Sequence, residues 1–156
     1  MENKVNFIGI PLDNISMSET LDRIENAISS KKQIHHCVIN AGKVVKIRSD
    51  KKLQESVINS DIINADGMSI VWAARLLGHE IKERVAGIDL MDNLVGLAHE
   101  KKYKCFFLGA KEQVVKKIVD HYSDKYSNQV IAGYRNGYFD NNEEKILIDQ
   151  IIQSEA

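Results

Sequence analysis

The sequence predicts an α/β fold with a mostly parallel sheet flanked by helices, folded as a single domain. Three observations carry that prediction. Short β-branched or aromatic runs alternate with longer stretches of helical spacing, the pattern of strand–helix–strand units. The 156 residues are 44% hydrophobic, and a chain of this length buries a working core without disulfide or metal staples. Pro11 is the single proline, and no low-complexity stretch or internal repeat marks a linker.

The first strand is read at residues 5–10, closed by Pro11. Ser16-Met17-Ser18-Glu19 then fits a capping box, in which the serine caps the helix and the glutamate reaches back. In the helix that follows, Leu21, Ile24, Ala27 and Ile28 fall on one face, and Ser29-Ser30-Lys31-Lys32 ends it. A second strand is expected at 34–39, two short helices within 43–59 broken near Ser49-Asp50, and a third strand at 61–64. Residues 68–77 are almost entirely apolar and end at Gly78, which predicts a helix buried on most sides with a left-handed glycine at its end. A helix at 90–101, a strand at 104–108, a helix at 112–126, a strand at 129–133 and a helix at 143–153 complete the reading.

Charge and residue usage narrow the function classes. With 21 Lys+Arg against 22 Asp+Glu the net charge is −1, without the basic excess that a nucleic-acid partner demands. Cys37 and Cys105 sit inside apolar strand-like runs, without an evident basic neighbour to lower the pKa of either thiol, and read as small buried hydrophobes in a reducing cytoplasm. The opening MENKVNFIGIPLDN matches neither a signal peptide nor an anchor. His35 and His36 are adjacent and point to opposite sides of a strand, and no His, Cys or carboxylate spacing matches a metal set.

Ligands of open α/β sheets bind at the carboxyl ends of the strands, which selects four segments: Asn40-Ala41-Gly42-Lys43, Asn64-Ala65-Asp66-Gly67-Met68, Gly109-Ala110-Lys111, and residues 134–139. Asp66 lies between a strand end and a helix start, with Gly67 removing bulk beside it. It reads either as a general base or as a plain helix-capping aspartate. The small-residue turn at Gly109 either brings backbone amides to a phosphate or is a tight turn alone. Arg84 reads as an anion clamp or as a partner for Asp89.

At Asn64-Ala65-Asp66-Gly67-Met68-Ser69-Ile70-Val71-Trp72-Ala73-Ala74-Arg75-Leu76-Leu77-Gly78, followed by Arg84-Val85-Ala86-Gly87-Ile88-Asp89-Leu90, the chain resembles the WecG/TagA/CpsF glycosyltransferase family. Asn6-Phe7-Ile8-Gly9-Ile10-Pro11, Asn40-Ala41, Phe107-Leu108-Gly109-Ala110 and the stretch from Gly133 to Gly137-Tyr138-Phe139 match in the same order. The resemblance implies a Rossmann-like, metal-independent inverting transferase with no cofactor. It would move N-acetylmannosamine or a related sugar from a UDP-sugar to undecaprenyl-diphosphate-linked N-acetylglucosamine, in teichoic acid or other cell-surface polysaccharide synthesis. The enzyme would work in the cytoplasm, peripherally at the inner face of the plasma membrane. By the same resemblance Asp66 is the catalytic base, Asn40 and Arg84 contact substrate and its diphosphate, and Gly109 lets the backbone approach the nucleotide. Gly67, Asp89 and Gly137 complete the expected substrate-binding set.

Two departures stand out. The family usually places a threonine two residues before its strand-two asparagine, where this chain has Val38. Members also continue into a Gly-x-Pro-x-Gln-Glu strand and a basic C-terminal appendage, whereas this sequence stops at Ala156, so the match covers the front of a catalytic domain. An unpaired sheet edge would then favour self-association into a homo-oligomer. The competing reading is a catalytically idle nucleotide-sugar-binding or scaffold domain. A dinucleotide-dependent oxidoreductase is disfavoured, because Gly9-Ile10-Pro11 does not supply a glycine fingerprint after the first strand.

Overall fold

The computed structural model describes residues 3–140 and 142–156. They form a mixed α/β structure in which short strands pair two by two and helices follow the strands. The chain divides into two compact units, Met1–Met91 and Asp92–Ala156.

The first unit opens with β1 (Lys4–Phe7) and β2 (Ile10–Asp13), an antiparallel pair in which Phe7 faces Ile10. The single strand expected at 5–10 is therefore a hairpin. Ile8 and Gly9 both take positive φ, 52° and 83°, the backbone that a two-residue hairpin turn requires. The Gly9 N–H donates to Asn6 Oδ1 at 2.9 Å across it. Pro11 does not end a strand but lies within β2, a position open to proline in a two-stranded ribbon.

Helix α1 (Met17–Ser29) starts at the expected capping box: Ser16 Oγ accepts from the Glu19 N–H, and Glu19 Oε2 accepts from the Ser16 N–H at 2.7 Å. Strand β3 (His36–Ile39) leads through Asn40 into α2 (Ala41–Lys46), and α3 (Lys51–Ile58) begins at Asp50. The break near Ser49-Asp50 thus has a physical cause, since the Asp50 side chain accepts from the Leu53 N–H at 3.0 Å and starts a new helix. Strand β4 (Ile62–Ala65) lies parallel to β3, with His36 opposite Ile62 and Val38 opposite Asn64.

Cys37, Ile39, Ile63 and Ala65 put one face of this pair into a core shared with Phe7, Ile10, Leu12, Ile47, Val57, Ile70, Val71, Ala74 and Ile81. The β2 strand is joined to β4 by a side chain. The buried Asp13 carboxylate accepts the Ile63 N–H at 2.9 Å and is paired with Arg23 Nη1 at 2.8 Å.

Helix α4 (Met68–Leu76) occupies the apolar stretch, and Gly78 beyond it has φ of +82°. It is not buried on most sides. Ile70, Val71 and Ala74 face the core, whereas Met68, Trp72 and Leu76 face outward. Composition alone fixes neither the number of faces covered nor what covers them. Helix α5 (Gly87–Lys101) starts three residues earlier than expected and runs across the division between the units.

In the second unit β5 (Cys105–Leu108) and β6 (Ile131–Arg135) pair in parallel, with an irregularity between Cys105 and Phe106. Helix α6 (Glu112–Lys125) joins them, and α7 (Glu144–Gln153) follows. The α6 residues Val115, Val119 and Tyr122 are buried, and Tyr122 stacks on Phe107 with ring centres 5.6 Å apart.

Candidate functional site

The β3–β4 pair ends in the residues selected from sequence. The Asp66 N–H donates to the Ile39 carbonyl at 2.8 Å, which carries the ladder one residue past β4 and sets Asp66 beside Asn40. One residue back, the Ala65 carbonyl accepts the Val85 N–H at 3.0 Å. That bond fixes the segment bearing Arg84 against the end of β4. Asn40, Asp66 and Arg84, distant in sequence, each adjoin a residue held in this short hydrogen-bonded chain.

Each position has a local cause. Asn40 caps α2, its Oδ1 accepting the Lys43 N–H at 2.9 Å. Gly67 is the first flanking residue of α4, with φ of +96° and no side-chain cap, a conformation strained for other residues. Asp66 is half-buried and directly precedes Gly67, next to a helix start, which favours negative charge. Asp89 is in the first turn of α5 and meets Arg84 Nη2 at 3.4 Å. Both side chains of that pair are substantially exposed, which leaves the guanidinium only loosely committed. Val38, the residue at the family's threonine position, packs against the start of α5: a Cβ on Gly87 would stand 3.3 Å from its Cγ2.

Reasoning from sequence missed the polar group beneath this site. Asn64 is 1% exposed, and its Oδ1 lies 2.8 Å from His36 Nε2 and 3.4 Å from Thr20 Oγ1. Its Nδ2 has no partner in the structure, an uncommon state for a buried donor. Burial, ahead of the hydrogen bond to Asn64 that opposes it, holds the His36 imidazole below its usual pKa of 6.5. A polar residue inside the otherwise apolar run 62–65 was the available signal. Cys37 also departs from expectation. Lys43 Nζ lies 3.5 Å from its Sγ and 2.9 Å from the Val38 carbonyl oxygen, so a basic neighbour exists that only the fold reveals. Cys37 is buried and Cys105 half-buried, both as free thiols, and burial raises the Cys105 pKa.

The remaining two expected residues belong to the second unit. Gly109 and Ala110, after β5, have φ of 138° and 57°, and the loop after β6 closes on them. The Gly109 N–H donates to the Arg135 carbonyl at 3.0 Å, and the Gly137 N–H donates to the Ala110 carbonyl at 2.9 Å. A Cβ on Gly137 would stand 3.0 Å from Gly109 Cα, so a side chain there would crowd the Gly109 backbone. The Gly109 amide is thus already engaged. Beside it, Arg135 is held by Glu143 at 2.6 Å and by Gln150 at 3.3 Å.

Among the described residues, no group of three or more His, Cys, Asp or Glu side chains is placed to hold a metal ion. No helix there is long and apolar enough to cross a membrane.

Residues 5–156 match the model of the glycosyl transferase WecG/TagA/CpsF family. The chain belongs to that family. It is 32% identical over 130 residues to N-acetylglucosaminyldiphosphoundecaprenol N-acetyl-beta-D-mannosaminyltransferase of Bacillus subtilis (strain 168), covering 83% of this chain and 51% of that protein. With the protein of the same name from Staphylococcus aureus (strain NCTC 8325 / PS 47) it shares 27% identity over 146 residues, 92% of this chain and 57% of the relative. This chain therefore spans about half the length of the curated relatives it matches.

Proposed function

We propose that this chain belongs to a glycosyltransferase that moves N-acetylmannosamine from a UDP-sugar to undecaprenyl-diphosphate-linked N-acetylglucosamine, with Asp66 as the general base. The observation that supports it most is the hydrogen-bonded chain Asp66–Ile39 and Val85–Ala65, which gathers Asp66, Asn40 and Arg84 at one pair of strand ends. The names of the relatives motivate the sugar and the acceptor. The polymer built would be a teichoic acid or a related cell-surface polysaccharide.

In the reaction, the Asp66 carboxylate takes the proton of an acceptor hydroxyl as that oxygen forms a bond to the anomeric carbon of the donor. The bond from that carbon to the UDP oxygen breaks, and UDP leaves with the electron pair. Attack from the face opposite the leaving group inverts the centre. Arg84 balances diphosphate charge by exchanging its loose contact with Asp89 for the leaving group. The Asn40 Oδ1 is committed to the Lys43 N–H, so its amide N–H groups are left to donate to substrate. No metal enters this scheme.

The deciding experiment measures acceptor-dependent UDP release from UDP-N-acetylmannosamine, using a water-soluble short-chain lipid-diphosphate-N-acetylglucosamine, for this chain and for Asp66→Asn. The expected outcome is turnover that falls by about 10²–10⁴-fold in the variant with UDP affinity nearly unchanged. Equal turnover would remove Asp66 from the chemistry. UDP binding without any release in either protein would favour the idle nucleotide-sugar-binding domain.

A further inference from the structure

Residues 79–86, between α4 and α5, take neither helix nor strand form. Such a segment has no ladder for its amides and carbonyls, so its path is set by whatever else bonds them. Here one side chain does so twice. Asn14 Nδ2 donates to the Glu80 carbonyl at 2.9 Å, and Asn14 Oδ1 accepts the Lys82 N–H at 2.6 Å. The carbonyl of one residue and the N–H of the second residue on are the pair that a neighbouring parallel strand would engage. The Asn14 amide, with a donor and an acceptor side by side, takes the place of that strand's peptide groups.

The segment is anchored on both sides of Arg84. Before it, the Ile81 side chain is buried in the core, Lys82 Nζ reaches both Glu19 oxygens at 2.8 Å, and Glu83 Oε2 accepts the N–H of Met17 at 3.0 Å. Met17 is the first residue of α1, where a free N–H and the positive end of the helix both favour a carboxylate. After it, Val85 is fully buried and its N–H is on the Ala65 carbonyl at 3.0 Å. Arg84 differs from its neighbours. Among the described residues its guanidinium meets Asp89 at 3.4 Å, with 41% of the side chain exposed. The backbone is thus placed while the charge stays available, an arrangement in which the segment is ordered before a ligand arrives.

We infer that Asn14 is a positioning residue for Arg84: by fixing Glu80 and Lys82 it presets the backbone from which the guanidinium meets the diphosphate of a nucleotide. The inference rests on the proposed role of Arg84 in holding the UDP diphosphate.

UDP affinity is measured by calorimetric titration for the unaltered chain, Asn14→Ala, Arg84→Ala and the double variant. Deuterium uptake is followed at the Val85 amide, whose own bond to Ala65 the Asn14 substitution does not touch. Asn14→Ala is expected to weaken UDP binding by about fivefold and to speed uptake at Val85 by about tenfold. In the double variant it should add nothing to the loss of about tenfold from Arg84→Ala, because its effect passes through that side chain. Losses that multiply in the double variant overturn the inference, since a residue that only stabilises the fold acts without regard to Arg84. So does an affinity unchanged in Asn14→Ala. Unchanged uptake at Val85 overturns it as well, while leaving UDP binding and the transferase reading intact. Failure of the unaltered chain to bind UDP overturns the diphosphate role of Arg84 together with the reading beneath it. If far-ultraviolet circular dichroism shows Asn14→Ala to be unfolded, Asn14→Asp, which keeps the acceptor for Lys82 and loses only the donor to Glu80, goes through the same measurements with the same outcomes deciding.

Discussion

At the scale of single residues, the site is built by a few backbone hydrogen bonds. Arg84 is held by the amide of its neighbour Val85 on Ala65 rather than by its own side chain, which leaves the guanidinium able to change partners. Arg84→Ala is expected to weaken UDP binding by about tenfold in calorimetric titration, the loss of a charge-assisted contact; unchanged affinity would make it a surface residue. His36 supplies a second residue-level test. Its native pKa lies below the unfolded value near 6.5 because burial disfavours the cation. A depressed native value means that the contribution to stability is complete above the unfolded pKa and is lost as pH falls through the native one. Thermal stability is therefore expected to decline below about pH 6.5, and His36→Gln to flatten that decline. Asp66 was legible in sequence because a carboxylate and a glycine at a strand-to-helix junction are local signals. The Asn64–His36–Thr20 contacts were not, because Thr20 is 44 residues from Asn64.

Among the elements, those with their own start and stop signals were the ones readable in advance. The Ser16–Glu19 box marks α1, and Asp50 separates α3 from α2. Ser16→Ala is expected to lower stability by about 1 kcal/mol in urea unfolding, since it removes the acceptor of the Glu19 N–H. The hairpin of β1 and β2 was missed because its turn is Ile8-Gly9 inside an apolar run, without the Asn-Gly pair that usually announces one. Helix α4 was misjudged because periodicity cannot separate a helix buried in its own core from one that shows half of its apolar surface elsewhere. In the second unit, Gly137→Ala would drive a methyl group against Gly109 and is expected to lower stability by about 1–3 kcal/mol. An unchanged unfolding midpoint would show that the loop after β6 yields freely.

For the molecule as a whole, the α/β class was legible because alternation of short strands and helices is a property of the entire chain. The pairing of strands in twos was not, since it depends on contacts between distant segments. Acid stability is one whole-chain property that the structure sets. Lys82 Nζ donates to both Glu19 oxygens at 2.8 Å, and that contact, with the Ser16 amide next, holds the Glu19 pKa down from 4.5 to about 2. A lowered native pKa means the benefit is intact above pH 4.5 and lost as pH falls toward 2. In Glu19→Gln the acid limb of the melting temperature should be flatter over that window. UDP at a hundred times its dissociation constant should stabilise the native chain by about 2.7 kcal/mol, and Asp66→Asn should keep that gain.

The Asp13 carboxylate stands in for a strand by accepting the Ile63 amide between β2 and β4. An amide proton so placed exchanges with solvent when the buried Asp13 carboxylate, paired with the partly exposed Arg23, lets go of it. Deuterium uptake at this one position therefore times the opening of the first unit's centre, although the proton is bound to no backbone acceptor.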